Sequence, residues 1–197
     1  MDKRIIIGVT GGLAAGKTTV VDMFAARGAR KIDADEIAHD LLDKDGEINR
    51  KVRDLFGGEI LTEGKIDRRK LAEKVFFDRE KLDMLCRVLH PAIIKRIKER
   101  AAMAAETVVV IDAPLLIEAG LQNYVDIVIV VAAERQRRIE RATCRGISKE
   151  EAGRIIDNQM PFSEKKKFAD YIINGDKDLN SVKKGVREIW EKIREKN

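Results

Sequence analysis

The sequence predicts an α/β fold built on a five-stranded parallel sheet, and three observations predict it. Five short apolar runs rich in β-branched residues, at 5–10, 30–33, 108–112, 127–131 and 171–174, alternate with segments of helical periodicity. A glycine-rich turn follows the first run directly and opens the first helical segment. One interval, 36–106, is longer than an ordinary crossover and reads as helical throughout. Strands alternating with helices give a parallel sheet covered on both faces, hence a three-layer sandwich, and the long interval is then an inserted helical lobe.

Taken in order, Met1-Asp2-Lys3-Arg4 leads into Ile5-Ile6-Ile7-Gly8-Val9-Thr10. That apolar run is too short for a signal-peptide core and is interrupted by Gly8, so it reads as a buried strand. The second run, Arg30-Lys31-Ile32-Asp33, ends in a carboxylate, and a helix is expected to start near Glu36. Inside the insertion Phe56-Gly57-Gly58 and Glu63-Gly64 are turn signals, while Leu71, Val75, Leu82, Leu85 and Leu89 recur at helical spacing. His90 precedes Pro91 and, on the residues alone, is a helix-packing side chain just before a proline break.

Val108-Val109-Val110-Ile111-Asp112 and the run at 127–131 supply the third and fourth strands. A very basic segment, 134–145, follows, then Ser148 with Glu151 three residues on, a capping box, and Pro161 closes that stretch. The last helix, about 179–196, carries Val182, Val186, Ile189 and Ile193 on one face, the pattern of a terminal helix docked on a sheet. The expected organisation is one domain without internal repeats. Its core is at about 1–35 and 105–197, its inserted lobe at about 36–104 and a basic lid at about 134–165.

With 44% hydrophobic and 37% charged residues, the chain has globular rather than disordered composition. Its formal charge of +5 fits a phosphorylated ligand better than nucleic acid, because acidic residues are interspersed with the basic ones and aromatics are only 5%. Cys86 and Cys144 have no metal-ligand spacing and suggest no disulfide framework. The expectation is a soluble cytoplasmic protein, a monomer or weak homo-oligomer, with neither nucleic acid nor membrane as partner.

Gly11-Gly12-Leu13-Ala14-Ala15-Gly16-Lys17-Thr18 satisfies the pattern of Gly, four residues, then Gly-Lys-Ser/Thr between a strand and a helix. The glycines let successive backbone N–H groups face phosphate oxygens, and the helix adds its positive N-terminal end. Residues 12–19, Thr19 included, are therefore the candidate nucleotide contacts of a P-loop fold. Lys17 would bridge the β- and γ-phosphates of ATP and the Thr18 hydroxyl would take a Mg²⁺ position. Asp112, ending its strand, is the second candidate metal or water-holding group.

Ligands of parallel α/β sheets sit beyond the carboxyl ends of the strands, so Asp33 and Asp35 are expected to face the same crevice. One carboxylate there can take the proton of an acceptor hydroxyl, while the other caps the following helix. A closing segment rich in arginine is also expected, and Arg135, Arg137, Arg138, Arg141 and Arg145 lie together.

The chain resembles the dephospho-CoA kinase family, and the resemblance runs nearly end to end. It rests on Gly8-Val9-Thr10-Gly11-Gly12, on Ile32-Asp33-Ala34-Asp35 with Ala38, on Ile66-Asp67-Arg68, Leu71 and Val75-Phe76, and on Leu89-His90-Pro91. It continues through Pro114-Leu115-Leu116-Ile117-Glu118, Gln159-Met160-Pro161 with Lys165, and Ala169-Asp170-Tyr171-Ile172-Ile173-Asn174-Gly175. The resemblance implies ATP-dependent phosphorylation of the ribose 3′-hydroxyl of dephospho-coenzyme A, the last step of coenzyme A synthesis. It implies that the insertion binds coenzyme A, that Asp35 is the base and that Asn174-Gly175 lies by the adenine. Thr10 and Leu116 would line the acceptor pocket, with Asp33, Arg68 and His90 on the substrate side. Two departures stand out: Ala14 and Ala15 replace the usual Gly and Ser of the loop, and the lid arginines are one residue out of step, leaving Arg141 and Arg145 as alternatives for the phosphate contact.

Overall fold

β-Branched residues lose little side-chain freedom on a pleated surface, and the runs that carry them do form the strands. The computed structural model describes residues 4–75 and 78–195. In chain order the first elements are β1 (Ile5–Gly11), α1 (Lys17–Ala25) and β2 (Arg30–Asp33). Then come α2 (Ala34–Lys44), α3 (Gly46–Phe56), β3 (Leu61–Thr62), β4 (Lys65–Ile66), α4 (Arg68–Val75) and α5 (Arg79–Ala102). The chain returns through β5 (Val108–Asp112), β6 (Ile127–Ala132), α6 (Arg135–Thr143), α7 (Lys149–Asn158), α8 (Phe162–Lys165), β7 (Tyr171–Asn174) and α9 (Leu179–Glu195). Two units result, Met1–Asp33 with Ala101–Asn197, and Ala34–Arg100. Phe76, one of the residues that carry the resemblance, lies outside the described residues, as do Met1, Asp2, Lys3 and Lys196.

In the first unit the five main strands run in the order β2-β5-β1-β6-β7, all parallel. Their carboxyl ends therefore lie along one edge. Register sets Asp33 opposite Asp112, Gly11 opposite Val131 and Asn174 opposite Ala132. β1 lies between β5 and β6: the chain passes from β1 to β2 on one side and later from β5 across to β6 on the other, so β1 marks the switch point at which α/β sheets bind ligands.

One face of this sheet is closed by α1 and α9. Ile7, Val9, Val108, Val110, Ile129 and Val131 pack against Val20, Val21 and Phe24 of α1 and against Val182, Val186, Ile189 and Ile193 of α9. Burying each such side chain contributes about 1.5–3 kcal/mol. Trp190 packs on Phe24 with ring centroids 6.3 Å apart. On the opposite face Gly8 carries no side chain because Leu116 fills that space, at 2.8 Å from where a Cβ would stand.

The second unit corrects three expectations. It is not helical throughout, since β3 and β4 pair antiparallel across Glu63-Gly64. Both turn residues have positive φ, 51° and 76°, as a two-residue hairpin with right-handed strand twist requires. Pro91 does not break the chain either, because α5 continues through it. A proline costs the helix one N–H bond, and here Leu85, Leu89 and Ile97, all buried, anchor the helix on both sides of the exposed Pro91. Finally, α2 begins at Ala34 rather than near Glu36, which puts Asp33, not Asp35, at the position before the helix. Elsewhere in this unit Asp45 caps α3 by accepting from Glu47 and Ile48 N–H, both at 3.1 Å. Asp67 does the same for α4, accepting from Arg69 N–H at 2.9 Å and Lys70 N–H at 3.3 Å.

Candidate functional site

At the switch point β1 gives way to the loop and α1 opens at Lys17. Gly16 precedes the helix with φ 98° and ψ 14°, a conformation that a Cβ would strain. The loop turns on a bond from Ala15 N–H to the Gly12 carbonyl at 3.1 Å, and α1 directs its N-terminal amides toward the loop. Lys17 pairs with the Asp112 carboxylate at the end of the adjacent strand, and Asp112 is only 2% exposed. Asp33 stands next to Asp112 in the sheet register. Thr18 and Thr19 are exposed on the first turn of α1.

Across the loop the turn after β7 closes the other side. Gly175 N–H donates to the Ala132 carbonyl at 2.7 Å, and its Cα passes so close to the loop that a Cβ there would overlap the Ala15 carbonyl. Asn174 Oδ1 accepts from Asp176 N–H at 2.8 Å, which fixes that turn. Arg141 reaches over from α6, donating to the Gly175 carbonyl at 2.8 Å and the Ala14 carbonyl at 3.4 Å and pairing with Asp176 at 3.1 Å. Ala14, Gly16, Thr19, Arg141, Arg145 and Gly175 line a pocket of about 300 Å³, at the small end of ligand sites.

Side chains to which the sequence assigned no individual contact also take part. Arg138, three residues before Arg141 on α6, donates from Nε to the Leu13 carbonyl at 2.9 Å and from Nη2 to Gln159 Oε1 at 2.9 Å. Gln159 Oε1 accepts in turn from Leu13 N–H at 2.8 Å. Burial, and then the neighbouring Arg135, lowers the Arg138 pKa while Asp157 opposes them; a guanidinium stays charged regardless. Arg138 and Arg141 stand three residues apart on one face of α6, while Arg145 follows in the turn after the helix. Arg135, by contrast, pairs with Asp157 at 3.0 Å.

Beneath the loop Lys165 is 2% exposed, with its ammonium 2.9 Å from Glu118 Oε1, 2.8 Å from the Pro114 carbonyl and 3.3 Å from Thr10 Oγ1. The Thr10 hydroxyl donates to the same Pro114 carbonyl at 3.0 Å. Burial lowers the Lys165 pKa, Glu118 raises it, and Arg138 and Lys17 lower it further. Lys165 and Glu118 lay in segments that carry the resemblance, but nothing local to them signals a buried pair.

Of the sequence candidates, the first unit thus brings together Gly12, Leu13, Ala14, Ala15, Gly16, Lys17, Thr18, Thr19, Asp112, Arg141, Arg145 and Gly175, with Asp33 beside Asp112. Thr10 and Leu116 are fully buried in that unit. Asp35, Arg68 and His90 belong to the second unit: Asp35 is exposed in the first turn of α2, Arg68 is exposed at the start of α4 and His90 is half-buried in α5.

A family model described as dephospho-CoA kinase matches residues 5–181. A dephospho-CoA kinase of Bacillus anthracis is 40% identical over 193 residues, covering 95% of this chain and 96% of its own. One of Aquifex aeolicus is 39% identical over 189 residues with the same coverage. Among solved structures, a Thermus thermophilus protein superposes with a TM-score of 0.82 at 29% identity, covering 96% of this chain and 98% of its own. Dephospho-CoA kinase from Campylobacter jejuni superposes with a TM-score of 0.67, also at 29% identity, covering 95% and 96%. A shikimate kinase of Bacteroides thetaiotaomicron, TM-score 0.51 at 19% identity over 96% and 98%, shares the fold.

Proposed function

The chain belongs to the dephospho-CoA kinase family, and from that premise we propose that it transfers the γ-phosphoryl group of ATP to the ribose 3′-hydroxyl of dephospho-coenzyme A, releasing coenzyme A and ADP. The observation that supports this reading most directly is the loop of residues 11–18, with Lys17 on the first turn of α1 and Asp112 beside it.

In this mechanism the loop amides and the α1 N-terminus hold the phosphate oxygens, and Lys17 holds the charge that builds on the transferred group. Arg141, Arg145 or both add positive charge from the lid side, and Asn174-Gly175 flanks the adenine. Asp35 accepts the proton of the acceptor hydroxyl as the new P–O bond forms. Thr10, Asp33, Leu116, Arg68 and His90 are the proposed acceptor contacts, the last two from the insertion at about 36–104. Phosphoryl transfer is here a matter of position and charge, which is why no covalent residue is required.

Among the described residues no cluster of three or more His, Cys, Asp or Glu side chains forms a metal cage. A Mg²⁺ ion fits this chain differently: the Thr18 hydroxyl and the Asp112 carboxylate are hard oxygen donors, and nucleotide phosphates and water complete such a shell. When bound, the ion supplies charge neutralisation at the phosphates. Among the described residues no helix is long and apolar enough to cross a membrane, and we place the enzyme in the cytoplasm as a monomer or weak homo-oligomer.

The test is product formation from ATP with dephospho-coenzyme A against a panel of other hydroxyl acceptors, shikimate and deoxyadenosine among them. Phosphorylation of dephospho-coenzyme A is expected; turnover of another acceptor alone would refute the assignment.

A further inference from the structure

Ala14 is one of two residues other than glycine with positive φ among the described residues, at 54°. An L-residue there is disfavoured by about 1–2 kcal/mol relative to the ordinary helical well. The dihedrals φ and ψ of Ala14 turn the peptide planes on either side of its Cα, and both planes are held by guanidinium groups from α6. The plane before it carries the Leu13 carbonyl, bonded by Arg138 Nε at 2.9 Å. The plane after it carries the Ala14 carbonyl, bonded by Arg141 Nη1 at 3.4 Å. Gln159 adds a third tie. Its Oε1 accepts from Leu13 N–H at 2.8 Å and from Arg138 Nη2 at 2.9 Å, closing a ring of hydrogen bonds around the Leu13 peptide groups.

The space above the loop is arranged for this ring. Gly12 has no side chain, and a Cβ there would overlap the Arg138 guanidinium. Ala14 and Leu13 also pack on Ile139, Ala142, Ala152 and Ile156, so α6 and α7 cover the segment the ring holds.

We propose that Arg138 and Gln159 are positioning residues: together they hold the phosphate loop in the left-handed turn that Ala14 would otherwise leave, and so set the affinity for ATP. Arg138 acts through the Leu13 backbone rather than on the nucleotide, and it is needed because alanine occupies a position where glycine would adopt the same turn unaided. The inference rests on the nucleotide site proposed above.

The experiment is calorimetric titration of MgATP into the full-length wild type, Arg138→Met, Gln159→Leu, Ala14→Gly and the double variant Ala14→Gly with Arg138→Met, each first shown by its melting curve to be folded. Arg138→Met is expected to weaken ATP by about tenfold, equivalent to about 1.4 kcal/mol. Gln159→Leu should weaken it in the same direction. In the Ala14→Gly protein the Arg138→Met change should cost about twofold or less, a coupling that a double-mutant cycle isolates. In turnover assays the Arg138→Met loss should fall on KM for ATP, with kcat and the KM for the acceptor little changed.

Equal ATP affinity in wild type and Arg138→Met would overturn the proposal. So would a loss of the same size with and without Ala14→Gly, or a loss confined to kcat, since either would mean that the guanidinium acts on the nucleotide itself. Absence of ATP binding in the wild type would instead overturn the nucleotide site, and with it the basis for the inference.

Discussion

Replacing Lys165 by Met removes a cation from one of the most enclosed polar positions in the chain. The ammonium lies 2.9 Å from one Glu118 oxygen and 3.1 Å from the other, and its side chain is 2% exposed. Breaking a buried pair by deleting one partner costs about 3–5 kcal/mol, because the other charge is left uncompensated. Here the Glu118 side chain is 21% exposed, so water reaches part of the stranded carboxylate and screens it. The Pro114 carbonyl keeps the Thr10 hydroxyl as a donor. The expected loss is therefore smaller, about 2–3 kcal/mol.

Urea titration followed by Trp190 fluorescence measures it, since Trp190 is the single tryptophan and packs on Phe24 in the same unit. Removing both charges, with Lys165→Met and Glu118→Leu together, should recover more than about 1 kcal/mol of the summed single losses. The pH dependence has a definite sign. With the Lys165 pKa lowered, chiefly by burial, the unfolded chain holds more protons than the folded one between the folded value and the ordinary 10.5. That contribution to stability is complete above the ordinary value and shrinks as pH falls through the folded one. The gap between wild type and Lys165→Met should then widen as pH rises toward the ordinary 10.5. An unchanged urea midpoint in the single variant, or single losses that simply add in the double, would refute the buried pair.

Lys17→Ala should lower kcat by about 10²–10³-fold or more, because a charge aimed at the transferred group is removed where water substitutes poorly; steady-state kinetics at saturating ATP check it. Asp35→Asn should lower acceptor phosphorylation by about 10²–10⁴-fold while leaving calorimetric ATP affinity intact, if the carboxylate is the base. Gly175→Ala would set a Cβ against the Ala15 carbonyl, a backbone atom that moves only if the loop moves. KM for ATP should rise by about tenfold or more, and a normal KM would show the turn to be more yielding than its packing implies.

The strands and the phosphate loop were legible because their signals are local. A β-branched run between turns, or Gly-Lys-Thr after a strand, is complete within a few residues, and the elements formed where those signals stood. The register was not legible, since nothing in the sequence says that β2 pairs with β5, the pairing that brings Asp33 level with Asp112. The hairpin at Glu63-Gly64 was legible as a turn but not as strands, because two residues a side are too few to show alternation. Pro91 misled for a related reason: the rule that a proline ends a helix weighs one lost bond, whereas α5 is held by buried apolar residues before and after it.

What the motif could not express is how its own shape is maintained. Gly-x-x-x-x-Gly-Lys-Thr specifies where amides must point, and within that pattern the four intervening residues look free. In this chain one of them is an alanine in a glycine-like conformation, and the hydrogen bonds to its flanking peptides come from residues more than a hundred positions later in sequence. Such ties have no periodicity and no spacing rule, because parallel pairing and the α6–α7 hairpin create the proximity only after folding. A substitution inside a phosphate loop is therefore best judged together with the side chains that bond its carbonyls. The same alanine would be expected to weaken nucleotide binding in a relative whose α6 offered no donor at the position of Arg138.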